Sequence, residues 1–186
     1  SIKYVEKHID GTLPLEIVLD TQIDNGIINP EFLTKIDSLK SFLLIQNGVG
    51  SVVTMSDHLK LVNQEIGSGI REIPSNPLDI LALIQSYEGI SDMINSDLSK
   101  TRISARLKNI NSSEADILVK SLNQESYRLF GSKINIVITG STVLALRTSK
   151  HLVKNLTTSF ILAFIIIFFS MIFLFKSIRL SILSVL

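Results

Sequence analysis

Few residues in this chain have the type and spacing that chemistry needs. The three histidines, His8, His58 and His151, stand apart, and no two have metal-ligand spacing. His58 follows Asp57 directly, but adjacent residues on a helix do not share a face. There is no cysteine, which excludes disulfides, thiolate metal sites and cysteine nucleophiles. Gly48-Val49-Gly50 lacks the further glycines and the lysine of a nucleotide loop. Ser68, between Gly67 and Gly69, lacks the spacing of a nucleophile elbow. The carboxylates are scattered and read as helix caps or solvated faces. The expectation is therefore no catalytic residue, no metal, no cofactor and no enzyme. Two basic groups remain: Arg102, Arg106 and Lys108 on one predicted strand face, and Arg147, Lys150 and Lys154 further on. Either could meet an anionic ligand or a lipid headgroup, and either could equally be a solvated face.

The elements that would position these residues fall into two parts of different composition. The chain has 186 residues, a net charge of +1 and no basic excess of the kind that nucleic-acid binding needs. Its mean hydropathy is +0.39, high for a soluble domain of this size. Every acidic residue precedes position 126. Residues 156–175 carry no charge, and twenty helical residues span about 30 Å, the thickness of a bilayer's hydrocarbon core. They read as a transmembrane helix, with 146–155 as a linker helix leading into it. Lys176-Ser-Ile-Arg179 reads as a short basic turn, and 180–186 as the beginning of another membrane helix. Basic residues on the two sides of the span are too balanced to orient it. No signal-peptide pattern stands at the front, and the chain reads as a piece of a longer, polytopic protein.

Residues 1–145 read as a compact α+β domain. Leu13, Leu15, Ile17 and Leu19 alternate with other residues at the period of a strand. Asn29 and Pro30 mark a helix start, as N-cap and first helical residue. Phe32, Ile36, Leu39 and Leu43 then form one apolar stripe, Gly48 suits the helix's C-terminal cap, and Val49 to Thr54 is a second strand. The second unit repeats the first. Ile103, Ala105 and Leu107 alternate as a strand; Ser113 and Asp116 form a relaxed capping box; Leu118, Leu122 and Leu129 line a helix ended by Gly131. Ile134, Ile136 and Ile138 make the last strand, closed by Gly140. Two β-α-β units of this kind interleave in a ferredoxin-like sandwich. Between them, Asp57 to Ile66 is helical, with Leu59, Val62 and Ile66 on its apolar face. Leu78 to Ile94 is apolar on more than one side. It reads either as an element buried against the sheet or as a greasy surface for a lipid-like ligand or neighbouring domain.

The order of these parts resembles the resistance-nodulation-division transporters, in the branch of hydrophobe/amphiphile exporters and MMPL-type proteins. Gly11-Thr-Leu-Pro-Leu-Glu-Ile-Val-Leu-Asp20 resembles that family's first porter strand. Asn29-Pro-Glu-Phe-Leu33 through Leu43 resembles its first porter helix, and Val49 to Lys60 the next strand and helix. Thr101-Arg-Ile-Ser-Ala-Arg-Leu107 is similar to the strand opening the second half. Ile138-Thr-Gly140 is similar to the last strand before the second membrane helix, and Phe175 to Arg179 to the cytoplasmic turn. The resemblance implies a multi-pass exporter of the bacterial inner membrane, with 1–145 as its first periplasmic porter domain. It implies proton-driven export of hydrophobic or amphiphilic, lipid-like molecules. The partners it implies are the bilayer, that cargo and the remaining transporter half and spans, and it allows a homo-oligomer. Coupling acids would lie in other spans, since 156–175 holds none.

Within that picture, Ile84, Tyr87 and Met93 are the expected residues of the apolar substrate path. The competing reading is an extracytoplasmic sensory or ligand-binding domain of a membrane receptor. A receptor should continue with a polar helical linker after its span, whereas Leu180 to Leu186 is apolar again. A third is an assembly or translocation subunit that shares the architecture without proton coupling.

Overall fold

A computed structural model describes residues 11–175; the predicted turn 176–179 and the apolar run 180–186 lie outside the described residues. The chain divides between Leu144 and Ala145 into two compact units.

The first unit is an α+β sandwich. Its strands are β1 (Leu13–Asp20), β2 (Val49–Val53), β3 (Lys100–Leu107) and β4 (Asn135–Thr139). They form one sheet in the order β2-β3-β1-β4, and every neighbouring pair is antiparallel. Hence β1 and β2 run parallel with β3 between them, and β3 and β4 run parallel with β1 between them. This is the interleaved double β-α-β of a ferredoxin-like fold. Ile17 sits opposite Ile103 on one side and Ile138 on the other. The period-two pattern puts Leu15, Ile17, Leu19, Ile103 and Ala105 on one face, each at most 2% exposed. Glu16, Val18, Arg102, Ser104 and Arg106 fall on the other face.

The crossover helices are α1 (Pro30–Leu44) and, in the second β-α-β repeat of the sandwich, a long helix over Ser112–Phe130. Asn29 caps α1 as the sequence predicts, its side chain accepting from the Glu31 N–H at 2.9 Å, with Pro30 in the first turn. The stripe Phe32, Ile36, Leu39 and Leu43 is buried, and Leu33 joins it. Gly48 does not cap this helix. α1 ends at Leu44 with Ile45 as cap, and Gly48 lies in the turn into β2 at φ +84°. Glycine is required there twice over, because a Cβ would fall 2.2 Å from the Ile110 side chain. The predicted second strand also loses Thr54, which leaves the sheet to cap the next helix.

That helix, α2 (Met55–Ile66), opens a long insertion between β2 and β3, followed by α3 (Pro77–Ser86) and a 3₁₀ segment over Glu88–Met93. Thr54 and Asp57 form a reciprocal capping box. Leu59 and Val62 are buried as expected, but Ile66 is 64% exposed, since the helix has by then run past the core. The apolar stretch 78–94 is not one element. Tyr87 takes an extended conformation (φ −133°, ψ 108°) and breaks it in two. Ile80, Leu83, Ile90 and Met93 are buried, while Leu78 is 70% exposed.

A polar clasp joins α1 to α2. Lys40 pairs with Asp57, and Lys60 pairs with Asp37. Ser56 donates to Asp37 at 2.7 Å, and Thr54 donates to Asp57 at 2.8 Å. The Thr54 and Ser56 hydroxyls, both fully buried, lie 2.9 Å apart and close the network. Burial pushes the Asp57 carboxyl up. Donation by Lys40 and by the Thr54 hydroxyl and N–H, with the Lys40 charge, outweighs this and holds it below the ordinary aspartate range.

In the second β-α-β repeat, helix α4 (Ser112–Phe130) has its N-cap two residues before the predicted one. Asn111 accepts from the Ser113 and Glu114 N–H groups at 3.0 and 2.9 Å, and Glu114 reaches back to the Asn111 N–H at 2.9 Å. Asp116 instead pairs with Lys120 one turn on. Leu118 and Leu122 are buried, Leu129 is half-buried, and Gly131 ends the helix. Lys108 lies beyond the end of β3, so of the three predicted basic residues Arg102 and Arg106 share its open face.

The second unit is carried by α5 (Ser141–Phe175), a continuous helix that includes both the predicted linker and the predicted span. Its apolar stretch runs from Leu152 to Phe173, 22 residues with mean hydropathy 2.5. Among the described residues it is the one helix long and apolar enough to cross a membrane. Of the second basic group, Lys154 is exposed, and the side chains of Arg147 and Lys150 lie outside the described residues.

Candidate functional site

The insertion between β2 and β3 builds a concave surface on the sandwich, lined mainly by apolar and neutral polar groups. Its organiser is Asn63, 6% exposed near the end of α2. The Asn63 amide donates to the carbonyls of Ile70 and Glu72 at 3.1 and 2.9 Å. Its carbonyl oxygen accepts from the Ser68 N–H and hydroxyl at 3.1 and 3.2 Å. One side chain thus folds the 67–72 loop back over the helix end and satisfies its own hydrogen-bonding capacity. A burial cost is met at every atom, so the loop is held in one conformation rather than left free.

Opposite this loop stands α3. Asn76 caps it, accepting from the Leu78 N–H at 3.1 Å, and Pro77 opens its first turn. Ala82, Leu83 and Asp79 of α3 face Ile66, Ile70, Ile73 and Pro74 across a groove of about 570 Å³. That is within the range of about 300–1,000 Å³ for small-molecule sites. Ile70 is 56% exposed and Ile66 is exposed beside it, so apolar surface is presented outward at the rim. Glu72 and Asp79 are its charged lining groups. The groove can bind apolar carbon chains. It holds no nucleophile beside a base, since the Ser68 hydroxyl is committed to Asn63. Among the described residues no group of three or more His, Asp or Glu side chains could hold a metal ion.

The three residues expected on a substrate path are not brought together. Ile84 is half-buried and packs against the core. Tyr87 lies on the surface, its ring stacked on His58 with centroids 6.0 Å apart. Met93 is buried to 6% exposure and borders a different cavity, on the open face of the sheet. The break at Tyr87 causes this dispersal, because residues before and after it follow different axes. Asp79, Ala82 and Leu83 lie within the stretch 78–94 that the sequence reads as core or as a greasy surface, whereas the side of the groove formed by 63–75 was missed in the sequence. Asn63 reads there as a polar helix residue, and Ile66 as core. The available signal was Ile70, Ile73 and Pro74, apolar residues in a loop that turn chemistry alone does not require.

No protein-family model and no curated protein matches the chain.

Proposed function

We propose that this chain is part of a multi-pass inner-membrane exporter of the resistance-nodulation-division type, with the sandwich on the periplasmic side and α5 as a membrane helix. The observation that supports it is the succession of two parts. A ferredoxin-like sandwich ends at β4 and Gly140, and a 35-residue helix follows with a 22-residue apolar stretch. A helix that is apolar all round is suited to hydrocarbon rather than to water.

In this reading the 66–83 groove is a stretch of the route taken by a hydrophobic or amphiphilic cargo. Its apolar lining would bind carbon chains weakly and without chemistry, which is what a transport path needs. Movement would come from alternating access of packed domains driven by protons at acids in other spans. The described part of the apolar helix has no carboxylate to carry that coupling.

The test uses the absence of native cysteine. Ser132→Cys places a single thiol in the sandwich, and intact cells are treated with a membrane-impermeant maleimide. Labelling is expected; protection until the cells are lysed would put the domain in the cytoplasm and sink the proposal. In the same cells, Ile70→Asp in the protein that carries this chain should raise retention of a fluorescent amphiphile. Unchanged retention with a lost transcriptional response would favour the receptor.

A further inference from the structure

The open face of the sheet carries a second cavity, of about 310 Å³, whose chemistry differs from that of the groove. Its floor is β3, where Arg102, Ser104 and Arg106 point the same way. Its wall is the insertion, which contributes His58, Asp92 and Met93. The wall is closely packed. The Tyr87 ring lies on His58 and so near Gly89 that a Cβ there would fall 2.5 Å from the ring.

The two arginines are what this cavity offers a ligand. Residues 102 and 106 are four apart on one strand, so their Cα atoms are about 13 Å apart and their side chains can close from both ends over Ser104. Among the described residues neither makes an ion pair. The other cation on the same strand is used: Lys100 pairs with Asp20 at 3.1 Å. The carboxylates close by are Asp92, on the wall, and Glu16, which accepts from the Ser104 hydroxyl at 2.8 Å and keeps its charge; neither forms an ion pair with Arg102 or Arg106 among the described residues. Two unpaired guanidinium forks facing one walled cavity match the oxygens of a phosphate group, which they can bind bidentately. Buried Met93 and half-exposed Val53 give the cavity an apolar side that free phosphate does not use but the carbon part of an ester does.

The geometry points to a binding site for a phosphate ester, clamped between Arg102 and Arg106 under the 88–93 segment. It stands independently of whether the chain moves cargo. The ester is either a phospholipid headgroup or a soluble phosphate monoester, and the ligand chemistry is the same.

The test is made on the full chain in neutral detergent. Glycerol 3-phosphate and dihexanoyl phosphatidylglycerol, each at millimolar concentration, are the probes. With wild-type protein, each probe that binds should slow phenylglyoxal modification of Arg102 and Arg106, read by mass spectrometry, and leave that of Arg128 unchanged. Arg102→Gln and Arg106→Gln should each weaken probe binding about tenfold, the value of one charge-assisted hydrogen-bonding partner. Tighter binding of the lipid than of glycerol phosphate identifies a headgroup site, and equal binding a soluble ester; both uphold the proposal. Modification of Arg102 and Arg106 at the same rate with and without both probes overturns it. So does binding that survives both substitutions. The footprint on wild-type protein keeps the test decisive if a variant does not fold.

Discussion

The sandwich and the terminal helix are made from the same apolar residue types and use them in opposite ways. Leu15, Ile17 and Leu39 are 0% exposed, whereas Phe160, Ile161, Phe164 and Phe173 along α5 are between 55% and 86% exposed. The kinds of apolar residue do not distinguish the two regions; their arrangement, and the absence of charge from 156–175, do. On α1 the apolar residues form a stripe, and a stripe is satisfied by other protein. On α5 they go all round, and no single protein face can cover them. The first arrangement makes stability a matter of internal packing, the second a matter of the surrounding solvent.

That contrast can be broken at its strongest point first. Leu39→Ala removes a fully buried side chain from α1 and should cost about 2–5 kcal/mol in urea unfolding of the sandwich. Ile165→Ala on α5 should leave the same transition within about 0.5 kcal/mol. An equal loss at both positions would mean that α5 is a core helix. The reverse experiment places a charge. Ile165→Arg, near the middle of the apolar stretch, should oppose membrane insertion by about 2.5–3.5 kcal/mol, read as a fall in the carbonate-resistant fraction. Undiminished insertion would falsify the membrane assignment of this helix.

Smaller effects sharpen the description of the packed side. Asp57→Asn leaves Lys40 half-buried without its partner and should cost about 1–3 kcal/mol. It should also change the pH profile. The Asp57 carboxyl is held below its ordinary value of 3.8 in the folded state, so its contribution is complete above that value and is lost as pH falls through the lower, folded one. Wild-type stability should therefore drop more steeply below pH 3.8 than that of Asp57→Asn. Parallel curves would show that the clasp contributes nothing through this group. The smallest expected effect is at the start of α4, where Asn111→Ala should cost about 1 kcal/mol while Ser113→Ala costs less.

This last pair measures how far the fold could be read in advance. Strand alternation around Leu15 to Leu19 and Ile103 to Leu107 was legible because one face of each strand must be buried and a slip of one residue would expose it. The caps were less so. Asn111 with Glu114 and Ser113 with Asp116 fit one pattern, and residue type does not choose between them, since Asp57 closes the box on Thr54 as Glu114 closes the one on Asn111. The loop side of the candidate groove was illegible for a different reason. It depends on Asn63 meeting the carbonyls of Ile70 and Glu72, contacts that side-chain periodicity does not encode. Ile84, Tyr87 and Met93 are dispersed at Tyr87, where a single extended residue turns one apolar run into two. Arg102 and Arg106 could be placed on a common face, but not the wall above them, which comes from a segment ten residues earlier.

The clasp between α1 and α2 carries information as well as energy. Its two ends are spelled almost alike, Asp37-Ser-Leu-Lys40 and Asp57-His-Leu-Lys60. Laid head to tail, as the chain has them, each aspartate meets a lysine. Laid side by side in the same direction, aspartate would meet aspartate and lysine would meet lysine, which like-charge repulsion disfavours. Two copies of a four-residue word therefore act as a polarity mark. They tell the second helix which way to run against the first, a distinction that Leu39 and Leu59, apolar at the same place in each word, could not make.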